Sequence, residues 1–223
     1  MIQIEHINKA YLIDGQQFKA VDDASLTIKQ GEFLSILGHS GSGKTTLLNL
    51  IGGLTKPNTG TVKIDGQDIW KLSDSALSEL RNEKMNFIFQ FSSLIPTLNV
   101  VDNVLLPATF GKAKKADLYD MAVELLEMMG LANKLRAYPS QLSGGQQRRV
   151  AICRAFINEP AIVLADEPTG DLDEETEKEV ISLFRSFNEK KKTTFLIVTH
   201  SSDLAAKTDR QFRMTSGRLE LLS

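Results

Sequence analysis

The stretch Gly38-His39-Ser40-Gly41-Ser42-Gly43-Lys44-Thr45 decides the fold, because it matches the phosphate-binding loop pattern G-x-x-x-x-G-K-[ST] at every specified position. In such a loop successive backbone N–H groups point at a polyphosphate, and the positive end of the following helix dipole adds to the attraction. We expect Lys44 to reach the β- and γ-phosphates and the Thr45 hydroxyl to ligate Mg²⁺. The residues predicted here to bind a nucleotide are Gly38, Ser40, Gly41, Ser42, Gly43, Lys44, Thr45 and Thr46.

The segments on either side of this loop support the interpretation. Residues 32–37 form an apolar run that predicts a buried strand, and residues 46–51 have the pattern of a helix. A further strand is predicted at 61–64, and the order strand, loop, helix, strand is typical of α/β nucleotide-binding folds. These flanks disfavour the alternative of a glycine-rich turn that binds nothing.

Composition narrows the class of protein. The 223 residues are 42% hydrophobic and 24% charged, which is ordinary for a globular chain that buries a substantial core. With 26 basic and 28 acidic residues the net charge is −2, so there is no electrostatic reason to expect a nucleic-acid partner. A single cysteine, Cys153, excludes an internal disulfide and fits a reducing compartment. Residues 1–5 lack the layout of a signal peptide and no apolar run approaches the ~20 residues of a membrane span, so we expect a soluble chain that reaches a membrane through a partner.

Polar residues follow three predicted strands. The buried run at 161–165 is typical of a parallel central strand and ends on Asp166 and Glu167, where α/β sheets bind ligands. We expect Asp166 to contact Mg²⁺ through its water shell and Glu167 to orient or deprotonate an attacking water. His200 ends another buried strand and is a candidate γ-phosphate sensor. Gln90 also ends a strand, where it is either ordinary polar punctuation or part of a site.

A second predicted helix begins, like the helix after the phosphate-binding loop, at a stretch of serine and glycine residues. Ser143-Gly144-Gly145-Gln146 places a serine and two glycines at the beginning of a predicted helix. Helix capping needs only the serine, and consecutive glycines are costly there, so the pattern favours close approach of an anionic ligand. Tyr11 lies between the alternating segments 2–5 and 24–28, which predict an antiparallel β region. It either stacks on a purine or packs as an ordinary aromatic.

The segment 91–107 is unusual in composition. It is too interrupted by prolines for a long helix and too apolar for a free loop. Two interpretations stay open: a surface that a partner covers, or packing within a small lobe. The following helix is predicted from apolar residues at Leu118, Met121, Leu125 and Met128, with Gly130 ending it.

Taken together, these motifs resemble the nucleotide-binding subunits of ATP-binding cassette (ABC) transporters over essentially the whole chain. The run Leu142-Ser143-Gly144-Gly145-Gln146 matches the signature sequence of that family letter for letter. The D-loop at 170–173 departs from the usual Ser-Ala-Leu-Asp and shares only Leu172 and Asp173, so Asp173 alone is carried over. The remaining matches are Gln90 with the Q-loop, His200 with the switch histidine and Tyr11 with the aromatic residue that stacks on adenine.

The resemblance implies an ATPase with ATP and Mg²⁺ as cofactors. The implied fold is an α/β P-loop core with a mixed, mainly parallel sheet, an N-terminal antiparallel β subdomain and a small α-helical subdomain. The core would cover about 1–89 and 151–223, and the helical subdomain about 90–150. The catalytic residues would be Glu167, His200 and Lys44; the metal would be held by Thr45, Gln90 and Asp166; and Tyr11, Gln90, Ser143, Gly144, Gly145, Gln146 and Asp173 would join the P-loop in binding ATP.

The same resemblance implies partners. Two copies would close head to tail around ATP, and the segment 91–107 would dock an integral membrane permease, which places the chain on the cytoplasmic inner face of the membrane. Ile95-Pro96, Asn103-Val104 and Leu106-Pro107 look like the branch that contains lipoprotein-release, macrolide-export and peptide-export ATPases. An importer ATPase or a non-transport ABC ATPase is the alternative, and so are a DNA-maintenance ATPase and a regulatory module without turnover. The chain lacks the long heptad insertion of the DNA class, and the presence of Glu167 and His200 argues against the regulatory module.

Overall fold

Ten strands lie along the part of the chain that the computed structural model describes, residues 1–110, 115–170 and 172–222. The first five are β1 (Ile2–Ile13), β2 (Gln16–Ile28), β3 (Phe33–Leu37), β4 (Thr59–Ile64) and β5 (Gln67–Asp68). The second five are β6 (Met85–Ile88), β7 (Ile162–Asp166), β8 (Thr194–Thr199), β9 (Arg210–Thr215) and β10 (Arg218–Leu221).

The α-helices of the described residues alternate with these strands. They are α1 (Lys44–Ile51), α2 (Asp74–Lys84), α3 (Val100–Val104), α4 (Tyr119–Met128), α5 (Gly144–Phe156), α6 (Glu174–Lys191) and α7 (Ser202–Ala205). Short 3₁₀ turns lie at Ile69–Lys71, Leu106–Phe110, Lys115–Leu118, Ala132–Lys134 and Pro139–Gln141.

The strands form two sheets. One is antiparallel with the order β2-β1-β4-β5, and the other has the order β10-β9-β3-β8-β7-β6. Every neighbouring pair of the second sheet is parallel except β9 with β10. The predicted fold class, a mainly parallel P-loop core beside an antiparallel β region, is therefore confirmed.

The order of the large sheet brings the predicted site residues together. β3, β7 and β8 are buried almost throughout, as parallel strands covered on both faces are, and they lie side by side. Because the strands run in the same direction, their carboxyl ends lie at one edge of the sheet. The P-loop follows β3 there, Asp166 and Glu167 end and follow β7, and His200 follows β8.

Two cores lie on either side of this sheet. One fills the space between the antiparallel sheet, α1 and the large sheet, and includes Ile4, Leu47 and Leu164. The other joins the large sheet to α3, α4, α5 and α6, and contains the packed rings of Phe156, Phe184 and Phe195. Cys153 belongs to this second core, and full burial raises the pKa of its thiol, so it is a small apolar side chain as expected.

Several local expectations need correction. The short segments 2–5 and 24–28 are parts of the long strands β1 and β2, joined by the turn at Asp14-Gly15, so Tyr11 lies on a strand. The strand after α1, β4, pairs antiparallel with β1 and lies outside the parallel sheet. The alternation of buried Val62 and Ile64 with more exposed residues suits an antiparallel sheet that is covered on one face, and not the parallel sheet that is covered on both.

The helical prediction for 118–128 was right in extent and partly wrong in its face. α4 ends before Gly130, whose φ of 66° provides the left-handed residue that closes the helix. Leu125 is buried, but Met128 is 54% exposed. The buried face of α4 is formed by Ala122, Leu125 and Leu126, and Met128, two positions after Leu126, lies on the opposite side of the helix.

Candidate nucleotide site

An open cleft of about 780 Å³ lies at the carboxyl edge of the large sheet and gathers most of the predicted site residues. Ser40, Gly41, Ser42, Gly43, Lys44, Thr45 and Thr46 line it from the P-loop. Tyr11, Gln90, Asp166, Glu167 and His200 line it from other elements. Gly38 lies outside this lining, at the base of the loop.

The P-loop is held by its own lysine. Lys44 Nζ donates hydrogen bonds to the carbonyl oxygens of Gly38 at 2.7 Å and His39 at 3.1 Å, so its ammonium lies within the loop. Gly43 has a φ of 105°, and a Cβ there would stand 2.0 Å from the carbonyl oxygen of Ala20. Only glycine fits this position, which explains its place in the motif.

Thr45 and Asp166 meet at the base of the cleft. Thr45 Oγ1 donates to Asp166 Oδ2 at 2.7 Å, although 121 residues separate them in the chain. Burial raises the pKa of Asp166, and the adjacent Glu167 charge adds to the rise, while the Thr45 hydrogen bond and the charges of Lys44 and Arg148 oppose it. Two oxygen donors thus lie together, which is the donor type that Mg²⁺ prefers.

Glu167 is fixed through both its backbone and its carboxylate. Its φ of 46° lies in the left-handed region, and its N–H donates to Val198 O at 2.9 Å. Its Oε2 accepts from Thr199 Oγ1 at 2.9 Å, and its Oε1 lies 2.9 Å from His200 Nδ1. A non-glycine residue in this conformation is typical of functional sites, where surrounding bonds hold a strained backbone.

An aromatic wall closes the cleft on the side of the antiparallel sheet. Tyr11 on β1 stands directly opposite Phe18 on β2, and both line the cleft together with Ile13. Tyr11 is 39% exposed and Phe18 48% exposed, so both rings present a face that a flat ligand can cover. Phe18 was missed from the sequence, yet the two-residue turn Asp14-Gly15 fixes the pairing and would have placed it.

The signature residues do not line this cleft. Ser143 caps α5: its Oγ accepts from the Gln146 N–H at 3.3 Å, and Gln146 Oε1 accepts from the Ser143 N–H at 3.0 Å. Ser143 and Gly144 are exposed, and Gly144 and Gly145 border a neighbouring cavity of about 430 Å³ that shares Gln90, Arg148 and Gly170 with the cleft. The helix start is therefore where the sequence placed it, and its ligand stays a prediction.

Asp173 also lies away from the cleft lining. It caps α6, accepting from the Thr176 N–H at 2.9 Å and the Thr176 hydroxyl at 2.8 Å. The hydrogen bond from the Thr176 N–H lowers the pKa of Asp173. Its predicted part in nucleotide binding stays a prediction, and Asp171 of the same D-loop lies outside the described residues.

The structure adds residues that the sequence did not single out. Besides Phe18 and Ile13, the cleft is lined by Arg148 and Gly170, and Thr199 bonds the carboxylate of Glu167. Thr199 carried a signal, because it precedes His200 at the end of a buried strand. Arg148 carried none, since a basic residue inside a helix is ordinarily exposed.

None of the helices within 1–110, 115–170 and 172–222 combines the length and apolar character needed to cross a membrane.

Comparisons with known proteins agree with this geometry. Residues 21–170 match the family model described as ABC transporter. The chain is 42% identical over 224 residues to the lipoprotein-releasing system ATP-binding protein LolD of Shewanella frigidimarina (strain NCIMB 400), covering 100% of this chain and 93% of that protein.

Two solved structures are similar over the whole chain. A dimeric post-hydrolysis state of the ATP-binding cassette MJ0796 bound to ADP and Pi has a TM-score of 0.93 and 39% identity. A second dimeric structure of MJ0796, described as a bacterial ABC transporter cassette, has a TM-score of 0.94 and 40% identity. In both cases the match covers 100% of this chain and 99% of the other. With its P-loop, Asp166, Glu167 and His200 assembled in one cleft, this chain belongs to the ABC transporter family as an ATP-binding, ATP-hydrolysing cassette.

Proposed function

We propose that this chain is the ATPase subunit of a lipoprotein-releasing type of exporter, which closes as a head-to-tail dimer around ATP and drives a membrane permease from the cytoplasmic side. One observation carries the proposal: the cleft assembles the P-loop, Asp166, Glu167 and His200, while the signature serine lies exposed outside it. The proposed catalytic groups thus lie on one wall of the site. The second predicted anion-binding helix start, at Ser143, lies outside the cleft lining. A second copy supplies the other wall.

The side chains have distinct roles in this proposal. Lys44 and the P-loop amides bind the phosphates and stabilise the charge that develops during transfer. Glu167, held by Thr199 and His200, orients the attacking water and accepts its proton. His200 is 72% exposed, so it can turn from Glu167 to the γ-phosphate once ATP is bound. Tyr11 and Phe18 stack on the base.

The residues at the base of the cleft fit Mg²⁺. Thr45 Oγ1 and Asp166 Oδ2 are close enough to share one ion, directly or through water, and Gln90 lines the same cleft. Because Mg²⁺ is ordinarily bound by one or two protein oxygens together with substrate phosphates and water, this small donor set is sufficient. When bound, the ion supplies charge neutralisation at the β- and γ-oxygens of ATP.

The segment 91–107 is the proposed permease contact. It divides into two parts: Val100, Val101 and Val104 are buried in the core, whereas Phe91 is 77% and Ile95 39% exposed. The interpretation as packing within the chain is therefore right for the three valines, and the interpretation as a surface that a partner covers stays a proposal for Phe91 and Ile95. The exposed apolar part follows Gln90 directly, so a protein seated on it would press on a residue of the cleft.

The similarity to LolD supports a proposal for the cargo. The relative is 42% identical, and the match covers 100% of this chain and 93% of the relative. We therefore propose lipoproteins as the cargo of the complex in which this chain works.

The central experiment is a Glu167→Gln substitution in the full chain. We expect the variant to bind ATP and to accumulate as a dimer on size-exclusion chromatography, because the composite site closes and hydrolysis no longer opens it. Hydrolysis is expected to fall by about 100-fold or more, the scale of losing a catalytic base. The added substitution Ser143→Arg should return this variant to a monomer, since the arginine blocks the second wall. A Glu167→Gln variant that hydrolyses ATP at the wild-type rate would contradict the assigned role.

A second experiment tests the partner. Phe91→Glu should reduce co-purification with membrane permease subunits from cells, while the isolated chain keeps its ATPase activity. A matched control is Phe110→Glu, because Phe110 is 75% exposed and lies outside the segment. Equal recovery of the permease with Phe91→Glu and wild type would remove this surface from the proposal.

A further inference from the structure

A buried arginine, Arg148, donates hydrogen bonds to main-chain carbonyl groups that follow β6 and β7. Arg148 lies on α5 and is 5% exposed. Its Nε donates to Pro168 O at 3.2 Å and its Nη2 to Glu167 O. Its Nη1 donates to the carbonyl oxygens of Phe89 and Gln90. A single guanidinium therefore holds the residues that follow two neighbouring parallel strands, β6 and β7.

The position of Glu167 depends on such bonds. The residue sits in the left-handed region at a φ of 46°, a conformation that is strained for a residue with a Cβ and persists only where surrounding bonds hold it. Its N–H is held by Val198, and its carbonyl oxygen accepts from Arg148 and, at 3.2 Å, from the Gly170 N–H. The direction of the carboxylate follows from this backbone conformation, so a bond to the carbonyl oxygen also sets where the carboxylate points.

From this geometry we infer that Arg148 is a positioning residue for ATP hydrolysis: it locks Glu167 and Gln90 into one arrangement by bonding the backbone of both. Its guanidinium is part of the cleft lining, and the inferred role requires no contact with ATP. The inference rests on the proposed role of Glu167 as the residue that orients and deprotonates water.

Lysine cannot take over this role. A guanidinium carries five N–H donors in a rigid planar fork, so it can bond carbonyl groups that lie in different directions. An ammonium donates from a single nitrogen and cannot reach both strand ends at once. Arg148→Lys therefore keeps the positive charge and removes the bridge.

Arg149 provides a matched control. It is the next residue of the same helix, and its Nη1 donates to Met129 O at 3.1 Å, on the side of α4. Arg149→Lys makes the same chemical change without touching the residues after β6 or β7. The two variants thus separate a loss of the bridge from a general loss of helix packing.

The test measures steady-state hydrolysis by the full chain. We expect Arg148→Lys to lower kcat by roughly 10- to 100-fold, the effect of misplacing a reacting group by about 1 Å. KM for ATP should change by less than about threefold, because the P-loop is intact. In the Glu167→Gln background, Arg148→Lys should lower the residual single-turnover rate by less than about threefold, since the Glu167 carboxylate is already gone and only the placement of Gln90 is left to lose. Arg149→Lys should keep kcat within about threefold of the wild type.

Different results would overturn different statements. A wild-type kcat for Arg148→Lys, or an equal further loss in the Glu167→Gln background, would contradict the inference. Full activity of Glu167→Gln alone would contradict the proposed function of the site, whatever Arg148 does. Circular dichroism shows whether each variant is folded. If Arg148→Lys is unfolded, Arg148→Gln, which keeps an amide donor without the charge, carries the same comparison and must show the same loss of kcat.

Discussion

Replacing Asn103 tests how the segment after Gln90 acquires its shape. Asn103 lies on α3, is fully buried and bonds only backbone atoms among its described contacts. Its Oδ1 accepts from the Ile95 N–H at 2.7 Å. Its Nδ2 donates to the carbonyl oxygens of Ile95 at 3.1 Å, Leu98 at 2.9 Å and Asn99 at 3.0 Å. One side chain thus anchors to the core the loop that carries the exposed Ile95.

The cost of Asn103→Ala follows from these bonds. One accepted bond and two donated protons, shared among three carbonyl groups, make about three hydrogen bonds of ~1 kcal/mol net each, so we expect a loss of about 3 kcal/mol. For a chain of this size that is a drop in Tm of roughly 6–12 °C. Asn103→Asp should cost more than Asn103→Ala, because its second oxygen would face three carbonyl oxygens and its charge is buried.

Asn99→Ala is the control, since this residue is the N-cap of the same short helix. Asn99 Oδ1 accepts one bond, from the Asp102 N–H at 2.8 Å, so its loss should cost about 1 kcal/mol. Urea denaturation gives both free energies of unfolding, and hydrogen exchange at the Ile95 amide reports the loop itself. If Asn103→Ala costs no more than Asn99→Ala, the reasoning from bond count is wrong.

Three further substitutions test the cleft. Phe18→Ala should weaken ATP binding by about tenfold, because stacking of an aromatic ring on a base is worth ~1–3 kcal/mol. The control Leu12→Ala, on the other face of the hairpin, should leave the affinity unchanged. Equal affinities of the two variants in a fluorescence titration would contradict the aromatic wall. At a pH above the pKa of Asp166 in the folded chain, Asp166→Asn should stabilise the nucleotide-free chain. At a pH below the pKa of an ordinary carboxyl group, this stabilisation should disappear. The sign follows because burial raises the pKa of Asp166, so wild-type stability falls as pH rises between the unfolded and folded values; thermal melts showing no pH-dependent difference would contradict it. Ser143→Arg in the wild-type chain should weaken ATP-driven dimerisation while single-chain nucleotide binding, measured by fluorescence titration, survives; an undiminished dimer would exclude the composite site.

Much of the cleft was predictable because its parts come at the ends of buried strands. β3, β7 and β8 are short apolar runs, and parallel strands bring their carboxyl ends to one edge. That rule predicts that the P-loop with Lys44, Asp166 and His200 lie at one edge of the sheet, once the motifs have singled these residues out. The antiparallel sheet was harder to predict, since its strands β1 and β2 are long and pair with register shifts that interrupt the alternation of apolar residues.

Hydrogen bonds from long side chains to backbone atoms could not be predicted from the sequence. Nothing in the local pattern indicates that Arg148 turns into the protein while Arg149, its neighbour, bonds the end of α4. A helix places successive residues on different faces, but the depth at which a guanidinium finds carbonyl partners depends on loops that come from distant parts of the chain. Asn103 is similar, since its partners lie in a loop of irregular shape.

The position of Arg148 links the two walls of the composite site. In the proposed dimer the first turn of α5, with Ser143, faces the ATP of the partner, while Arg148 bonds the backbone of Glu167 in its own chain. Five residues separate them, about 7.5 Å along a helix axis, and a helix is stiff over that distance. In this proposed dimer we therefore expect a shift of the helix start, on closing around one ATP, to move the Glu167 carboxylate of the other site. We expect Arg148→Lys to lower the Hill coefficient for ATP hydrolysis together with kcat, and an unchanged Hill coefficient would show that the two sites communicate by another route.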